Sequence, residues 1–263
     1  MKCMRKILLS TISMVAVASN AAAKDELNAL VWCDHTDPAL IEPFETEHNV
    51  KVNLREYEGT GAALALLEQS RPGDWDVLVI DGIDVFRAVE AGILAPLAVD
   101  DLPTADFFPE VVMAENNSVD GVTYAVTEKF GYNTVSYNSS KVDQSDMEDL
   151  STIWSDKYNG RISIYDYYLP VMGLAAIAEG IPTATLGSGG LDPLGDVLSI
   201  MRSNAASVAG VVAAQTALAT GEVDIVVGGG EWLTAVLAGE RPELTWTIPK
   251  EGAVRWAQSI GVV

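Results

Sequence analysis

Side chains that can bind a small cation follow two predicted strands of this sequence. Trp32, Asp34 and His35 come at the end of an early apolar run, and Asp81 follows a second apolar run at residues 77–80. An indole face attracts an ammonium group, and a carboxylate pairs with it. Because ligands bind at the carboxyl ends of strands in open α/β sheets, these residues predict a binding site at that edge.

The elements that must hold these side chains alternate between strand and helix. A strand ending at Trp32 is followed by a helix on which Leu40 and Phe44 share an apolar face. Alternating apolar residues at 50–54 predict the next strand, and the fully apolar run at 77–80 suits a buried parallel strand. The alternation continues to the end of the chain, so we expect an α/β protein with parallel sheets.

The loop after the first strand leaves several roles open. Trp32 is either a ligand platform or a core side chain at the end of its strand. Asp34 either pairs with a cation or caps the helix that follows, whereas Asp37 precedes Pro38 and is therefore the clearer helix cap. His35 can lie in solvent, donate a hydrogen bond or bind a metal.

The N-terminus has the pattern of a secretory signal peptide. It begins with three basic residues, Lys2, Arg5 and Lys6. A mostly apolar run at residues 7–18 follows, and small residues up to Ala23 offer a cleavage site. We therefore expect residues 1–23 to be removed after about Ala23 and the mature protein to be periplasmic.

Composition excludes several classes of function. The net charge of −21 makes nucleic acid and anionic membranes poor partners, and removing the basic signal segment makes the chain more acidic. Cys33 is the one cysteine left after cleavage, so no internal disulfide is expected. The sequence has no Gly-x-Ser-x-Gly, His-Glu-x-x-His or P-loop motif. We therefore expect no cofactor, no bound metal and no enzymatic activity.

Six collinear segments resemble one family. They are residues 30–52 (LVWCDHTDPALIEPFETEHNVKV), 75–97, 124–138 (YAVTEKFGYNTVSYN), 150–166, 219–232 and 248–262. The chain resembles periplasmic solute-binding proteins of ABC transporters, and within them the spermidine/putrescine-binding branch. The resemblance implies a two-lobed periplasmic-binding-protein fold with a ligand cleft between the lobes. It also implies a monomer that closes on a small-molecule ligand and docks on a membrane permease.

The resemblance also divides the chain. We expect the signal peptide at 1–23, the first α/β lobe at 24–130, the second α/β lobe at 131–230 and a return crossing toward the first lobe at 231–263. Family members continue past the position of Val263 with helices that pack on both lobes. We therefore expect this chain to be a fragment that lacks those C-terminal helices; a shortened binding protein with an exposed apolar edge is the alternative.

Ligand-binding positions are carried over from the family. They are Trp32, Asp34, His35, Asp81, Glu128, Asp166, Tyr167, Glu231, Trp232 and Trp256. Polyamine binders carry acids where this chain has Tyr167, Pro170 and Gln258, while Asp81 and Glu128 add acids at positions where the family has none. The rings of two neighbouring tyrosines, Tyr165 and Tyr167, can replace the lost acids. These departures predict a cationic or polar ligand other than a standard linear polyamine.

Three other functions fit parts of the pattern. Tyr167 and Tyr168, with His35 and an acid, would give oxygen and imidazole ligands for ferric iron. Asp81 and Glu231 across a cleft could serve as the paired carboxylates of a hydrolase. A binding lobe that serves a sensor instead of a permease is the third alternative.

Overall fold

The structure, a computed structural model, describes residues 25–102, 107–109, 112, 114–183 and 192–263. The expected signal peptide and its cleavage site lie outside these residues. The strands are β1 (Asp25–Trp32), β2 (Val50–Tyr57), β3 (Val77–Asp81), β4 (Ser118–Val119), β5 (Val122–Thr123), β6 (Ala125–Asn138), β7 (Ile162–Tyr165), β8 (Ala205–Ala209), β9 (Ile225–Gly229), β10 (Leu244–Thr247) and β11 (Val254–Val262). The helices are α1 (Pro38–His48), α2 (Thr60–Glu68), α3 (Val85–Glu90), α4 (Leu150–Ile153), α5 (Tyr168–Ala178), α6 (Gly195–Asn204), α7 (Val211–Thr220) and α8 (Glu231–Ala235).

One continuous path of strands joins two lobes. Its order is β2-β1-β3-β11-β6-β9-β7-β8, with β10 also paired to β6 and with β4 and β5 in a separate hairpin. In the first lobe, β1 runs parallel to β2 and β3. In the second lobe, β7 runs parallel to β8 and β9. The predicted α/β class and the two-lobed arrangement are therefore confirmed.

Each lobe has its own hydrophobic core. The first-lobe core packs α2 and α3 against the sheet and includes Leu30, Leu78 and Ile80, which are fully buried. The main core of the second lobe centres on Leu174 and Ile225, with α5 and α6 packed on the strands. Because each lobe buries its own apolar face, the lobes can move as separate bodies about the strands that join them.

Two strands, β6 and β11, connect the lobes. The N-terminal part of β6 pairs with β11, and its C-terminal part pairs with β9 and β10. β11 pairs with β6 and with β3, so the chain returns to the first lobe within this strand. The lobe limits stay a prediction, but the pairing of β10 with β6 favours a return within β11 over one starting at residue 231.

The ladders of both connecting strands are irregular. In the β6–β11 ladder, Gln258 pairs with Lys129 and Ser259 pairs with Thr127, so Glu128 is left as a bulged residue. The β6–β9 ladder likewise skips Gly228, whose φ of 89° suits glycine. A bulge interrupts the alternation of side chains between the two faces of a strand. Here the bulged Glu128 side chain reaches the loop after β1, where it contacts His35.

Local structure differs from the sequence analysis at two points. Leu40 and Phe44 of α1 are exposed rather than packed against the sheet, and none of the side chains of this helix is buried. The sequence predicts a helix over residues 197–206, but α6 ends at Asn204 and the chain forms β8 from Ala205. Asp37 does cap α1, since its carboxylate accepts from the Ala39 backbone N–H at 2.9 Å. Within the described residues, no helix has the length and hydropathy needed to cross a membrane.

Candidate functional site

A cavity of about 230 Å³ opens between the lobes. It lies at the carboxyl ends of β1, β3 and β7, where the sequence analysis expected the site. The cavity is lined by Trp32, Cys33, Asp34, Asp81, Asn133, Tyr165, Tyr167, Leu169, Val211, Val212, Gln215, Trp232, Val236, Trp256 and Gln258. Both lobes and both connecting strands therefore contribute to its walls.

Asp81 is the buried carboxyl group of this cavity. It ends β3 and is only 3% exposed. Burial raises its pKa to about 7, with Asp84 and Asp34 contributing in the same direction, and a hydrogen bond donated by the Tyr167 hydroxyl to Oδ2 opposes the rise. Gln258 faces Asp81 across the β3–β11 ladder, and its buried Oε1 has no hydrogen-bond partner among the residues that the structure describes. The two side chains therefore lie on the same face of neighbouring strands, and both line the cavity.

A second hydrogen bond between the lobes lies beside the first. The Tyr168 hydroxyl donates to Asp84 Oδ2 at 2.7 Å, and Arg87 binds Oδ1 of the same carboxylate at 3.1 Å. Burial and this hydrogen bond raise the pKa of Tyr168, so the phenol stays protonated and can donate. Together, Tyr167 and Tyr168 of the second lobe hold the aspartates of the first.

Aromatic rings form much of the cavity wall. Trp32 packs against Tyr57 and Tyr167, with ring centroids 4.9 and 5.7 Å apart. Tyr165 packs against Tyr167 at 5.7 Å and against Trp232 at 5.9 Å. The rings of the two lobes thus meet at Tyr167. Such faces cover the methylene groups of a ligand and attract an ammonium group.

Trp256 completes the wall where the lobes join. Its ring lies against Gly131, where an added Cβ would overlap both this indole and the Glu231 carboxylate. Glu231 does not line the cavity; its Oε1 accepts from the backbone N–H of Tyr132 at 3.0 Å. Glycine at position 131 is therefore required for this close approach of β6, β11 and α8.

Four charged residues form a network, which we call the loop clamp: Asp34, His35, Glu128 and Lys129. His35 Nε2 lies 2.7 Å from Glu128 Oε1, and Nδ1 lies 2.9 Å from Asp34 Oδ1. Lys129 Nζ donates to Asp34 Oδ2 at 2.7 Å. Burial disfavours a charged imidazole, but the hydrogen bonds to both carboxylates raise the pKa of His35 to about 9. Burial likewise opposes ionisation of Asp34, while hydrogen bonds from His35 and Lys129 lower its pKa to about 2.

The structure brings part of the predicted set together. Trp32, Asp34, Asp81, Tyr167, Trp232 and Trp256 line the cavity. The other four do not: His35 and Glu128 belong to the loop clamp, Asp166 is exposed and Glu231 binds backbone. The ligand-binding roles of all ten residues stay predictions.

The apolar side of the cavity was not predicted from the sequence. This side consists of Leu169, Val211, Val212 and Val236, with the polar residues Asn133 and Gln215 beside it. Val212 and Val236 are 57% and 74% exposed, although they are apolar. Nothing in the sequence marks them, because isolated valines near helix ends are common on protein surfaces.

The residues predicted as ferric-iron ligands, Tyr167, Tyr168 and His35, do not come together as a metal centre in the described part of the chain. Within the described part of the chain, no group of three or more His, Cys, Asp or Glu side chains is arranged to hold a metal ion. Both ring nitrogens of His35 are engaged in the loop clamp. The hydroxyls of Tyr167 and Tyr168 donate to separate aspartates.

Known structures show the same fold. A Listeria monocytogenes protein assigned to spermidine/putrescine ABC transport is similar at a TM-score of 0.78 and 22% identity, covering 90% of this chain and 72% of that one. The Tp0655 (TpPotD) lipoprotein of Treponema pallidum has a TM-score of 0.77 and 20% identity, covering 90% and 75% of the two chains. MotA of A. tumefaciens B6, solved with glucopine, has a TM-score of 0.73 and 18% identity, covering 91% and 73%.

Sequence comparison agrees with the fold. Among curated proteins, no sequence matches the chain. The family model for bacterial extracellular solute-binding proteins matches residues 39–263, which is most of the chain. That family consists of binding proteins. The match extends over both lobes and includes twelve of the fifteen residues that line the cavity, because Trp32, Cys33 and Asp34 precede it. The chain belongs to the bacterial extracellular solute-binding protein family.

Proposed function

We propose that the protein is a periplasmic receptor for a small cationic solute of the amine class, which it delivers to an ABC permease. The observation that carries this proposal is Asp81, a buried carboxyl at the wall of an aromatic-lined cavity between two lobes. A buried carboxylate needs a cation or hydrogen-bond donors to offset its desolvation. An ammonium group between Asp81 and Gln258 would supply both.

Binding would favour the closed arrangement of the lobes. The cavity combines Asp81 and Trp32 of the first lobe with Tyr165 and Trp232 of the second. A ligand contacts both walls only when the lobes are together, so it shifts the population toward that state. The Tyr167–Asp81 and Tyr168–Asp84 hydrogen bonds act in the same direction.

Family membership and the N-terminal segment support the location and the transport partner. The family is extracellular, and similar structures include proteins assigned to ABC transport. The three basic residues and apolar run of the signal segment agree with export. We expect the mature receptor to act as a monomer, as the resemblance implies.

The ferric-iron and hydrolase alternatives have weaker support. Iron binding would require phenolates, yet burial raises the pKa of Tyr167 and Tyr168, and both hydroxyls already donate hydrogen bonds. A paired-carboxylate mechanism would use Asp81 and Glu231, but Glu231 does not line the cavity and is bound to the Tyr132 backbone.

The test is a thermal-shift screen of the mature chain, residues 24–263, against linear amines, betaines, amino acids, organic anions and ferric salts. A ligand held across both lobes raises the midpoint by mass action. We expect amines to raise it and organic anions to leave it unchanged. A shift with anions alone would overturn the cationic assignment, and turnover of a bound compound would overturn the receptor assignment.

A further inference from the structure

Of the described side chains that line the proposed site, one carboxylate is free to meet a ligand cation. Among the described residues, Asp34 and Asp81 are the acidic side chains that line the cavity. Asp34 is not available, because its Oδ1 is bound by His35 and its Oδ2 by Lys129. The two acidic and two basic members of the loop clamp balance each other, so a second ligand cation would gain little there.

Asp81, unlike Asp34, keeps a carboxylate oxygen that can bind a ligand cation. Tyr167 donates to one of its oxygens, Oδ2. Gln258, 6% exposed and paired with Asp81 on the neighbouring strand, adds a neutral amide oxygen that has no partner within the described part of the chain. An ammonium group has three N–H donors, so it can satisfy the amide and the carboxylate together. One buried, paired cation is therefore accommodated on the first-lobe side.

The second-lobe side of the cavity is apolar. It is formed by Leu169, Val211, Val212 and Val236, beside the ring of Trp232. Val212 and Val236 remain largely exposed in this structure, so a ligand that covered them would remove apolar surface from water. The Glu58 carboxylate lies beside Gly210 but is not among the residues that line the cavity, so a charged group placed against the valines would lose hydration without gaining a partner in the lining.

Because one side of the cavity offers a carboxylate and the other is apolar, we propose that the ligand is a monoammonium compound with an apolar body. This inference rests on the proposed function. Its ammonium group binds between Asp81 and Gln258, and its hydrocarbon end packs on the valines of the second lobe. A diamine of the same length would place its second ammonium against Val212. The site therefore selects against linear diamines, even though it shares the fold of polyamine binders.

Three five-carbon probes test this selection: pentylamine, cadaverine and 5-aminovalerate. They have the same chain length and end in a methyl, an ammonium and a carboxylate group. In isothermal titration calorimetry of the mature chain at pH 8, we expect pentylamine to bind about tenfold or more tightly than either of the others. Cadaverine binding as tightly as pentylamine would overturn the monoammonium inference and leave the cationic receptor intact.

Other outcomes separate the two proposals. Tightest binding of 5-aminovalerate would overturn the apolar-end inference while keeping an amine at Asp81. Binding by none of the three at millimolar concentration, with binding of pentanoate, would overturn the cationic receptor as well.

A variant pair tests the position of the apolar end. Val212→Asp places a carboxylate at the second-lobe wall, whereas Ala213→Asp places the same charge on the next residue of α7, which is exposed and outside the cavity lining. Both substitutions lie in the first turn of α7 and share its dipole effect. We expect Val212→Asp to shift the preference toward cadaverine about tenfold and Ala213→Asp to leave it unchanged. Equal effects of the two substitutions would refute this placement.

Discussion

The pKa of Asp81 makes ligand affinity depend on pH in a defined direction. In the free protein this pKa is about 7, so the carboxylate is mostly ionised at pH 8 and about 1% ionised at pH 5. An ammonium ligand binds the ionised form and stays charged at both values. We therefore expect its Kd to rise about 100-fold from pH 8 to pH 5, which corresponds to about 2.7 kcal/mol.

Asp81→Asn should remove this dependence. At pH 8 the variant loses a hydrogen bond to a charged group, which we expect to weaken amine binding by about 2 to 3 kcal/mol, or about 30- to 150-fold. Its Kd should then stay flat between pH 8 and pH 5. The matched control is Asp143→Asn, which removes the same charge from an exposed side chain. Calorimetric titration at four pH values measures both effects.

The same substitution should stabilise the ligand-free protein. The pKa of Asp81 in the folded protein lies above the ordinary aspartate value of 3.8, so the native state binds the extra proton between about pH 4 and pH 7. The wild-type protein therefore loses stability as pH rises through that window, by up to about 4 kcal/mol. Asp81→Asn should raise Tm at pH 8 and have little effect at pH 4. A variant that binds amines normally, keeps the pH dependence and shows no change in Tm would refute the reasoning.

Three further substitutions probe the walls of the site. His35→Gln should lower stability by about 2 kcal/mol at pH 6, because the imidazolium joins two carboxylates; the difference should be complete below pH 6.5 and disappear as pH rises through about 9. Tyr168→Phe should remove the hydrogen bond to Asp84 and destabilise the closed arrangement of the lobes by about 1 kcal/mol. The radius of gyration measured by X-ray scattering should then increase. Gly131→Ala should lower Tm and change tryptophan fluorescence, because its Cβ overlaps Trp256.

Each of these substitutions has a matched control. His48→Gln changes the other histidine, at the end of α1, and should show no comparable pH-dependent loss. Tyr124→Phe removes a hydroxyl without a described link between the lobes, so the scattering profile should stay constant. Gly239→Ala adds a Cβ into open space and should leave Tm unchanged. Equal behaviour of a variant and its control would contradict the corresponding contact.

Local signals in the sequence were sufficient for much of the fold. The Asp37–Pro38 pair marks the start of α1 because capping depends on neighbouring backbone groups. The run at 77–80 marks β3 because a strand buried on both faces is continuously apolar. Short-range patterns failed at β8, where an Ala-rich segment after a helix carries little preference for a strand. They also failed for α1, on which Leu40 and Phe44 are exposed although their spacing suits a face packed on the sheet.

The site was less predictable because its partners are distant in sequence. Lys129, 95 residues from Asp34, decides that this aspartate joins a clamp instead of meeting a ligand. Glu128 reaches His35 beside a bulge in β6, and a bulge leaves no clear pattern in one sequence. Tyr167 and Asp81 are 86 residues apart, and their hydrogen bond follows from the packing of the lobes. The apolar wall around Val212 had no sequence signal at all.

The bulge opposite Gln258 gives the receptor a mechanical property. The rotation that separates the lobes must be absorbed by the backbone of β6 and β11, and an irregular ladder resists torsion less than a regular one. One such weak point lies between Gln258 and Ser259, directly behind an amide assigned to the ligand, and another lies between Thr134 and Val135. A bound solute therefore restricts the twisting of β6 and β11 at the irregularity beside Gln258. Amide hydrogen exchange at Ser259 should slow on ligand addition more than exchange in either lobe's sheet.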